Sequence, residues 1–218
     1  MPNAPAVITT LLGEEGLAPE GASIIYILPT PWFAQFEVGF WKAKSGSLTT
    51  LSADDAFAIS GPLTNARLWT AWELSPATDI EIGLSGLLAQ GPNYKLQPDN
   101  AQLYGIDITT KLQDSPTTSW LSQSEWISLN RANKTTVNGG YTYLGYQWNK
   151  YWDSGLRWDY IQGLTDDTPS TQTLAGVITN RLTETSKVSL QYTYDTNTTD
   201  SQVRIVLTFG LGPHSHNL

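Results

Sequence analysis

The stretch of sequence that decides the fold is residues 202–211, which read QVRIVLTFGL. Every second residue from Val203 onward is apolar, and the residues between them are mostly polar or small. This period of two is typical of a β-strand with two chemically different faces. The same alternation recurs at 34–40, 79–85 and 187–195. Because tilted strands of about 9–11 residues cross a bilayer, a succession of such strands favours a transmembrane β-barrel.

Turn residues divide the chain into roughly eleven such segments, arranged as an antiparallel meander. The predicted fold class is all-β, an antiparallel up-and-down transmembrane β-barrel of about 10–12 strands. The barrel is expected over residues 23–213. An N-terminal segment, 1–22, is expected to be irregular or an extra strand, and 214–218 to be a C-terminal tail.

The connections between the predicted strands alternate between short and long. Outer-membrane barrels have short periplasmic turns and longer outer loops, so this alternation favours a membrane barrel over a soluble meander. One loop is predicted over 133–140, and two segments, 118–130 and 171–182, fit a two-faced strand poorly. A bulge or a neighbouring subunit would explain those two segments. The short turns are expected near residues 30, 76, 115, 150 and 184, and the long loops near residues 50, 95, 135, 166 and 198.

The composition narrows the classes of function. The 218 residues include no Cys, which excludes disulfides, thiolate metal sites and thiol nucleophiles. The net charge of -8 argues against nonspecific binding to nucleic acid or anionic lipid. Nine Trp and ten Tyr suit a membrane–water boundary, where one end of each ring is apolar and the other wet. On composition alone, a soluble aromatic-rich β-sandwich fits equally well.

The sequence has no run of about 20 apolar residues that would form a membrane helix, and no visible signal peptide. Barrel strands have a weak hydropathy signal, so a membrane barrel remains compatible with this finding. Since an outer-membrane protein is exported, the chain would be a mature form, an engineered form or a fragment.

The two faces of the predicted strands differ in charge. If the apolar face meets lipid, the opposite face lines a lumen, where charged side chains pair, bind water or set ion selectivity. In a soluble sandwich the same charges would form an ordinary solvated face. The expected lumen-lining residues are Glu37, Arg67, Glu73, Asp79, Glu81, Asp107, Lys111, Glu125, Arg157, Asp159, Lys187 and Arg204. The expected lipid-facing residues are Phe36, Val38, Phe40, Ile80, Ile82, Leu84, Leu190, Tyr192, Ile205, Leu207 and Phe209.

Aromatic residues cluster at the predicted strand ends, as in the two girdles of outer-membrane barrels. Near the short turns lie Trp32, Trp72, Trp120, Trp148 and Trp152, and nearer the opposite ends lie Tyr94, Tyr104, Tyr141, Tyr160 and Tyr194.

Three segments resemble a known family. Residues 12–17 (LGEEGL), 28–33 (LPTPWF) and 209–214 (FGLGPH) are similar to parts of large bacterial outer-membrane porin-like barrels, often labelled TonB-dependent or zinc-regulated outer-membrane receptors. Residues 191–195 (QYTYD) fit the penultimate strand of that family. The resemblance covers most of the chain and implies a porin-like barrel in the bacterial outer membrane.

Two departures limit what the resemblance implies. Family chains are longer, with further strands before the segment that corresponds to 12–17, so this chain resembles the C-terminal part of such a barrel. The sequence also has no plug domain and no TonB-box-like start. The label of energy-coupled uptake is therefore not transferred to this chain.

The sequence gives little support for an enzymatic function. His214 and His216 are the only histidines, and a solvated tail explains them better than a metal site. The sequence contains no Gly-x-Ser-x-Gly elbow and no P-loop. Asp79 and Glu81 could serve a glycosidase in principle, but are better interpreted as lumen neighbours. The prediction is a protein that is not an enzyme and has no metal and no cofactor.

The leading hypothesis is an outer-membrane β-barrel that acts as a passive porin-like channel for ions or small solutes, or the C-terminal part of one. The alternatives are a non-conducting structural or binding barrel and a soluble β-sandwich that binds carbohydrate through exposed Trp. The expected partners are the lipid bilayer, small solutes or ions, and a homo-oligomer or partner chain; nucleic acid is not expected. Single-chain bacterial barrels usually have even strand numbers, so three ways of closure are open: residues 5–12 add a strand, the barrel closes through a parallel pair, or closure needs another chain.

Overall fold

The computed structural model describes residues 4–12, 20–42, 62–90, 100–131, 134–163, 168–183 and 185–210. Within these ranges there is one helix, α1 (Ala6–Leu12), and no helix has the length and apolar character needed to span a membrane. The strands are β1 Glu20–Ile27, β2 Phe33–Lys42, β3 Pro62–Ser75, β4 Thr78–Gln90, β5 Asn100–Gln113, β6 Ser119–Arg131, β7 Lys134–Gln147, β8 Trp152–Ile161, β9 Thr171–Arg181, β10 Ser186–Asp195 and β11 Ser201–Phe209.

The eleven strands form one sheet in which sequence order and spatial order are the same. Each strand pairs antiparallel with the next along the chain. The predicted all-β class, up-and-down order and strand number are therefore confirmed. β1 and β11 form the two edges, and no pairing joins them within the described ranges. Strand direction reverses from each strand to the next in an antiparallel sheet, so β1 and β11 run in the same direction.

The sheet has two chemically different faces, because successive side chains of a strand point to opposite sides. Phe36 and Leu68 are cross-strand partners on one face, whereas Glu37 and Arg67 are partners on the other. We call the face that holds Glu37 and Arg67 the concave face, since it curves around α1, and the opposite one the convex face. The convex face presents large apolar side chains, and Leu156 is 70% exposed there.

The two ends of the sheet carry different connections. The β1–β2, β3–β4, β5–β6, β7–β8 and β9–β10 connections lie at what we call the turn end, and the others lie at the loop end. The predicted loop over 133–140 is wrong, because only residues 132–133 separate β6 from β7. Gly139 and Gly140 suggested a loop but lie inside β7. A Cβ at Gly140 would stand 2.6 Å from the carbonyl oxygen of Glu125, so these glycines permit close strand packing.

The two segments that fitted poorly form β6, whose pairing with β7 shifts register between Leu129 and Arg131, and β9, whose pairing is regular. Trp120 and Trp126 share the convex face with several serines, and the hydroxyls of Ser124 and Thr142 lie 3.1 Å apart across the β6–β7 pair. In β9 the side chain of Arg181 lies on the concave face, where its guanidinium pairs with Asp153 at 2.8 Å. Cross-strand partners thus satisfy the polar groups that appeared misplaced in single strands.

The N-terminal segment contains a helix, where an irregular segment or an extra strand was expected. Val7 and Leu11 of α1 are fully buried against the concave face at the loop end. The apolar ring around them, which we call the collar, draws on strands β3 to β8. The buried collar residues are Leu63, Ala89, Ala101, Leu103, Ile127, Leu129, Val137 and Ile161. Because residues from β3 and β8 meet at one short helix, the sheet is curled rather than flat.

If the convex face meets lipid, as the sequence predicts, Leu84→Arg destabilises the protein in lipid vesicles. Leu84 lies mid-strand on the convex face of β4, and Arg at the midplane of a lipid-facing surface costs about 2–4 kcal/mol. The matched control is Thr109→Arg, which places the same group on the concave face near Glu81. Urea unfolding from lipid vesicles would measure both, and an equal loss of stability would contradict the assignment of the faces.

Candidate functional site

The concave face is the candidate functional site. All twelve charged residues expected to line a lumen lie on this face, as the register of the ten strand pairs shows. The eleven residues expected to face lipid all lie on the convex face. A strand slipped by one residue would exchange the two sets, so the register decides what the concave face can bind.

One ion pair crosses the middle of the concave face on β3 and β5. The guanidinium of Arg67 lies 2.9 Å from a carboxylate oxygen of Asp107 and donates to the hydroxyl of Ser85 at 2.7 Å. Gly83 of β4 lies beneath this pair, and a Cβ there would stand 2.3 Å from Asp107 and 2.5 Å from Arg67. The glycine therefore allows the two charged groups to meet across an intervening strand.

A second ion pair is buried beside α1. Arg157 and Asp159 of β8 lie on the same face and pair at 2.8 Å, with side-chain exposures of 6% and 1%. The other carboxylate oxygen of Asp159 accepts a hydrogen bond from the backbone N–H of Ala6 at 3.1 Å. Charge-assisted bonds of this kind are strong, and here they tie the start of the helix to the wall of the sheet.

Sequence reasoning missed four charged residues of the concave face. Arg131 and Asp195 lie at the loop ends of β6 and β10, and Asp153 and Arg181 pair near the turn end. Asp153 stands four positions before Arg157 and six before Asp159 in β8, so the period of two could have identified it. Arg181 depended on knowing its partner across the sheet.

The unpaired charges are distributed unevenly around the concave face. Acidic groups concentrate on β2, β3 and β4, where Glu37, Glu73 and Glu81 lie. Basic groups concentrate on the opposite part of the sheet, with Lys187 on β10 and Arg204 on β11. The concave face thus has an acidic wall, which attracts cations, and a basic wall, which attracts anions.

A cavity of about 500 Å³ occupies the turn end of the concave face between β5 and β11. We call it the basin. Its floor includes Tyr143, whose ring lies over two glycines: a Cβ at Gly145 would be 2.8 Å, and one at Gly155 2.3 Å, from ring or hydroxyl atoms of the tyrosine. At the loop end, the described residues of the same face form the apolar collar around α1.

Aromatic side chains mark the turn end on the outside. The rings of Trp148 and Trp152 stack with centroids 6.4 Å apart, and those of Trp120 and Tyr146 lie 4.4 Å apart. Tyr141, expected in a girdle, instead lies on the concave face opposite Glu125. Tyr94 and the histidines of the tail lie outside the described residues.

The described ranges contain no group of three or more His, Asp or Glu side chains placed to hold a metal ion. The acidic groups on the concave face are spread along the strands, or are occupied by arginines. The chemistry that this face offers is therefore charge pairing and hydrogen bonding by lysine, arginine, amide and hydroxyl groups.

No family model matches the chain, and no curated protein matches it. Among solved structures, the chain is similar to one described as the KdgM porin in complex with disordered oligogalacturonate, at 10% sequence identity and a TM-score of 0.42. The match covers 89% of this chain and 92% of that chain. The description of the fold rests on this chain's own strand pairing.

We expect Arg157→Gln to destabilise the fold by about 3–5 kcal/mol, because removal of one partner leaves the buried carboxylate of Asp159 uncompensated. The control is Arg67→Gln, whose ion pair is partly exposed and should contribute no more than about 1 kcal/mol. Denaturant unfolding in detergent, followed by Trp fluorescence, measures both. Equal effects would show that Asp159 is not held as a buried ion pair.

Proposed function

We propose that the protein is a porin-like β-barrel of the bacterial outer membrane that passes ions or small solutes passively. The observation that carries the proposal is a single sheet whose convex face is apolar on strand after strand while its concave face is charged. Lipid accepts the convex face, because every backbone group between neighbouring strands is hydrogen bonded and the exposed side chains are apolar. The concave face then forms the wall of an aqueous path.

A soluble carbohydrate-binding sandwich is less compatible with these observations. A sandwich buries apolar side chains between two sheets, whereas the described strands form one sheet. Its convex apolar side chains, such as Leu156 and Ile205, are 70% and 68% exposed. An apolar surface of this extent on a monomer marks a membrane or protein interface.

The described strands leave the edges of the proposed barrel open. β1 and β11 run in the same direction, so one strand antiparallel to both would complete the hydrogen bonding, whereas direct contact would form a parallel pair. Unpaired edges in lipid leave N–H and C=O groups unsatisfied at several kcal/mol each. Closure therefore takes place through a parallel β1–β11 pair or through a strand outside the described residues, in this chain or in a partner chain.

A non-conducting barrel is the second candidate, and α1 is the observation that favours it. Val7 and Leu11 fill the collar, and Gly139 makes room for Val7, since a Cβ there would lie 2.7 Å from it. The helix therefore narrows the path at the loop end. In a channel, α1 acts as a plug that has to leave the collar; in a structural barrel, it stays.

We expect the double variant Val7→Asp/Leu11→Asp to conduct several-fold better than the unchanged protein in planar bilayers. Two carboxylates cannot remain in the apolar collar without a large desolvation cost, so the helix leaves it. The control, Thr9→Asp/Thr10→Asp, adds the same two carboxylates to α1 at residues that do not belong to the collar cluster. A channel proposal is contradicted if the double variant folds but passes no current under any ionic condition.

We also expect a weak preference for cations. Carboxylates outnumber cations among the predicted lumen residues, and the acidic wall holds Glu73, Asp79 and Glu81 without an ion pair to a described residue. Amide substitution of these three should reduce the preference, whereas Asp200→Asn in the β10–β11 connection should leave it unchanged. Reversal potentials in a salt gradient measure the effect, which should weaken at high salt. Anion selectivity of the unchanged protein would overturn this expectation.

A further inference from the structure

The basin at the turn end holds an unusual excess of positive charge. Lys111, Arg181 and Lys187 line it together with one carboxylate, Asp153. The guanidinium of Arg181 pairs with Asp153 at 2.8 Å. Neither lysine forms an ion pair with a described residue, although Asp79 is the cross-strand partner of Lys111, whereas Lys187 lies opposite the cation Arg181. A protein with a net charge of -8 thus has a locally cationic cavity.

Two of these cations lie directly opposite each other. Lys187 of β10 and Arg181 of β9 are cross-strand partners on the concave face. Like charges in this position destabilise a sheet, because their side chains lie close together. The carboxylate of Asp153 neutralises the charge of Arg181 but leaves that of Lys187 without a counter-charge. An anion bound between them would remove the remaining repulsion, which is a physical reason to expect one there.

The rest of the basin is lined with hydrogen-bonding groups. Gln123 and Gln147 offer amides, and Thr208 offers a hydroxyl. The hydroxyls of Thr179 and Ser189 lie 3.0 Å apart and form a bonded pair on the same wall. Such groups bind hydroxyl-bearing ligands, since each hydroxyl or amide both donates and accepts hydrogen bonds. A bare inorganic anion would leave most of these groups unused.

We propose that the basin is a binding site for a small hydroxylated organic anion, whose carboxylate or phosphate group is attracted by Lys111 and Lys187. The cavity of about 500 Å³ is within the range of small-molecule sites, about 300–1,000 Å³. The inference rests on the proposed channel function and extends it, because it names a class of solute that binds inside the channel. It concerns binding, which can be measured without any flow through the membrane.

The test uses the full chain in detergent and calorimetric titration with gluconate as the probe. Glucose serves as the uncharged counterpart, and inorganic phosphate as the anion without a carbon skeleton. We expect gluconate to bind more tightly than either, because only gluconate engages both the lysines and the hydroxyl-bearing wall. Binding should weaken as salt rises, since the lysine side chains are exposed.

The discriminating variant is Lys111→Gln/Lys187→Gln, in which the gluconate dissociation constant should rise by about tenfold or more as charge-assisted hydrogen bonds are lost. The matched control, Lys150→Gln, removes a lysine from the nearby β7–β8 turn and should leave binding unchanged. Both changes affect exposed side chains, so folding should be preserved.

Several outcomes would overturn the inference. Equal weakening by Lys150→Gln would mean that the net charge of the protein, and not the basin, attracts the anion. Equal binding of glucose or of phosphate would contradict the proposed ligand class. If the protein binds gluconate but never conducts, the binding site is supported and the channel proposal is refuted. If the protein conducts but does not bind gluconate, the channel proposal is supported and the binding site is refuted.

Discussion

The structure depends on one constraint, the antiparallel hydrogen-bond ladder that joins β1 to β11. Each interior strand satisfies its backbone on both sides, so its side chains are free to divide into an apolar face and a charged face. The ladder also sets the register, and a shift by one residue in any strand would move its charges to the convex face. The ion pairs and the basin exist only because this register holds across many strands.

The concave face combines two different environments along one surface. At the loop end the collar and α1 form an apolar core, tied to the wall by Asp159. At the turn end the basin is polar and open. The ring of Tyr143 can lie across Gly145 and Gly155 because these residues have no side chains in its way. Glycine positions thus determine where large side chains can lie: beneath Tyr143, beneath the Arg67–Asp107 pair and beside Val7.

Particular elements show how far sequence reasoning reached. The alternation in β2, β4, β10 and β11 predicted which side chains share a face, because a period of two is a local property of an extended chain. It did not reveal that Gly139 and Gly140 belong to β7, since a glycine pair inside a strand and one inside a loop look alike locally. Arg181 seemed misplaced in its own strand because its partner, Asp153, lies in the preceding one.

The amino-acid sequence by itself determined the all-β class, the up-and-down order and the division of each strand into two faces, because these follow from local periodicity and turn residues. Tertiary structure decided which charges pair, where the basin lies and that Ala6–Leu12 is a helix inside the collar. A helix of this length is not stable alone, and it forms here because the curved sheet buries Val7 and Leu11. Such contacts join residues far apart in the chain, which no local pattern encodes.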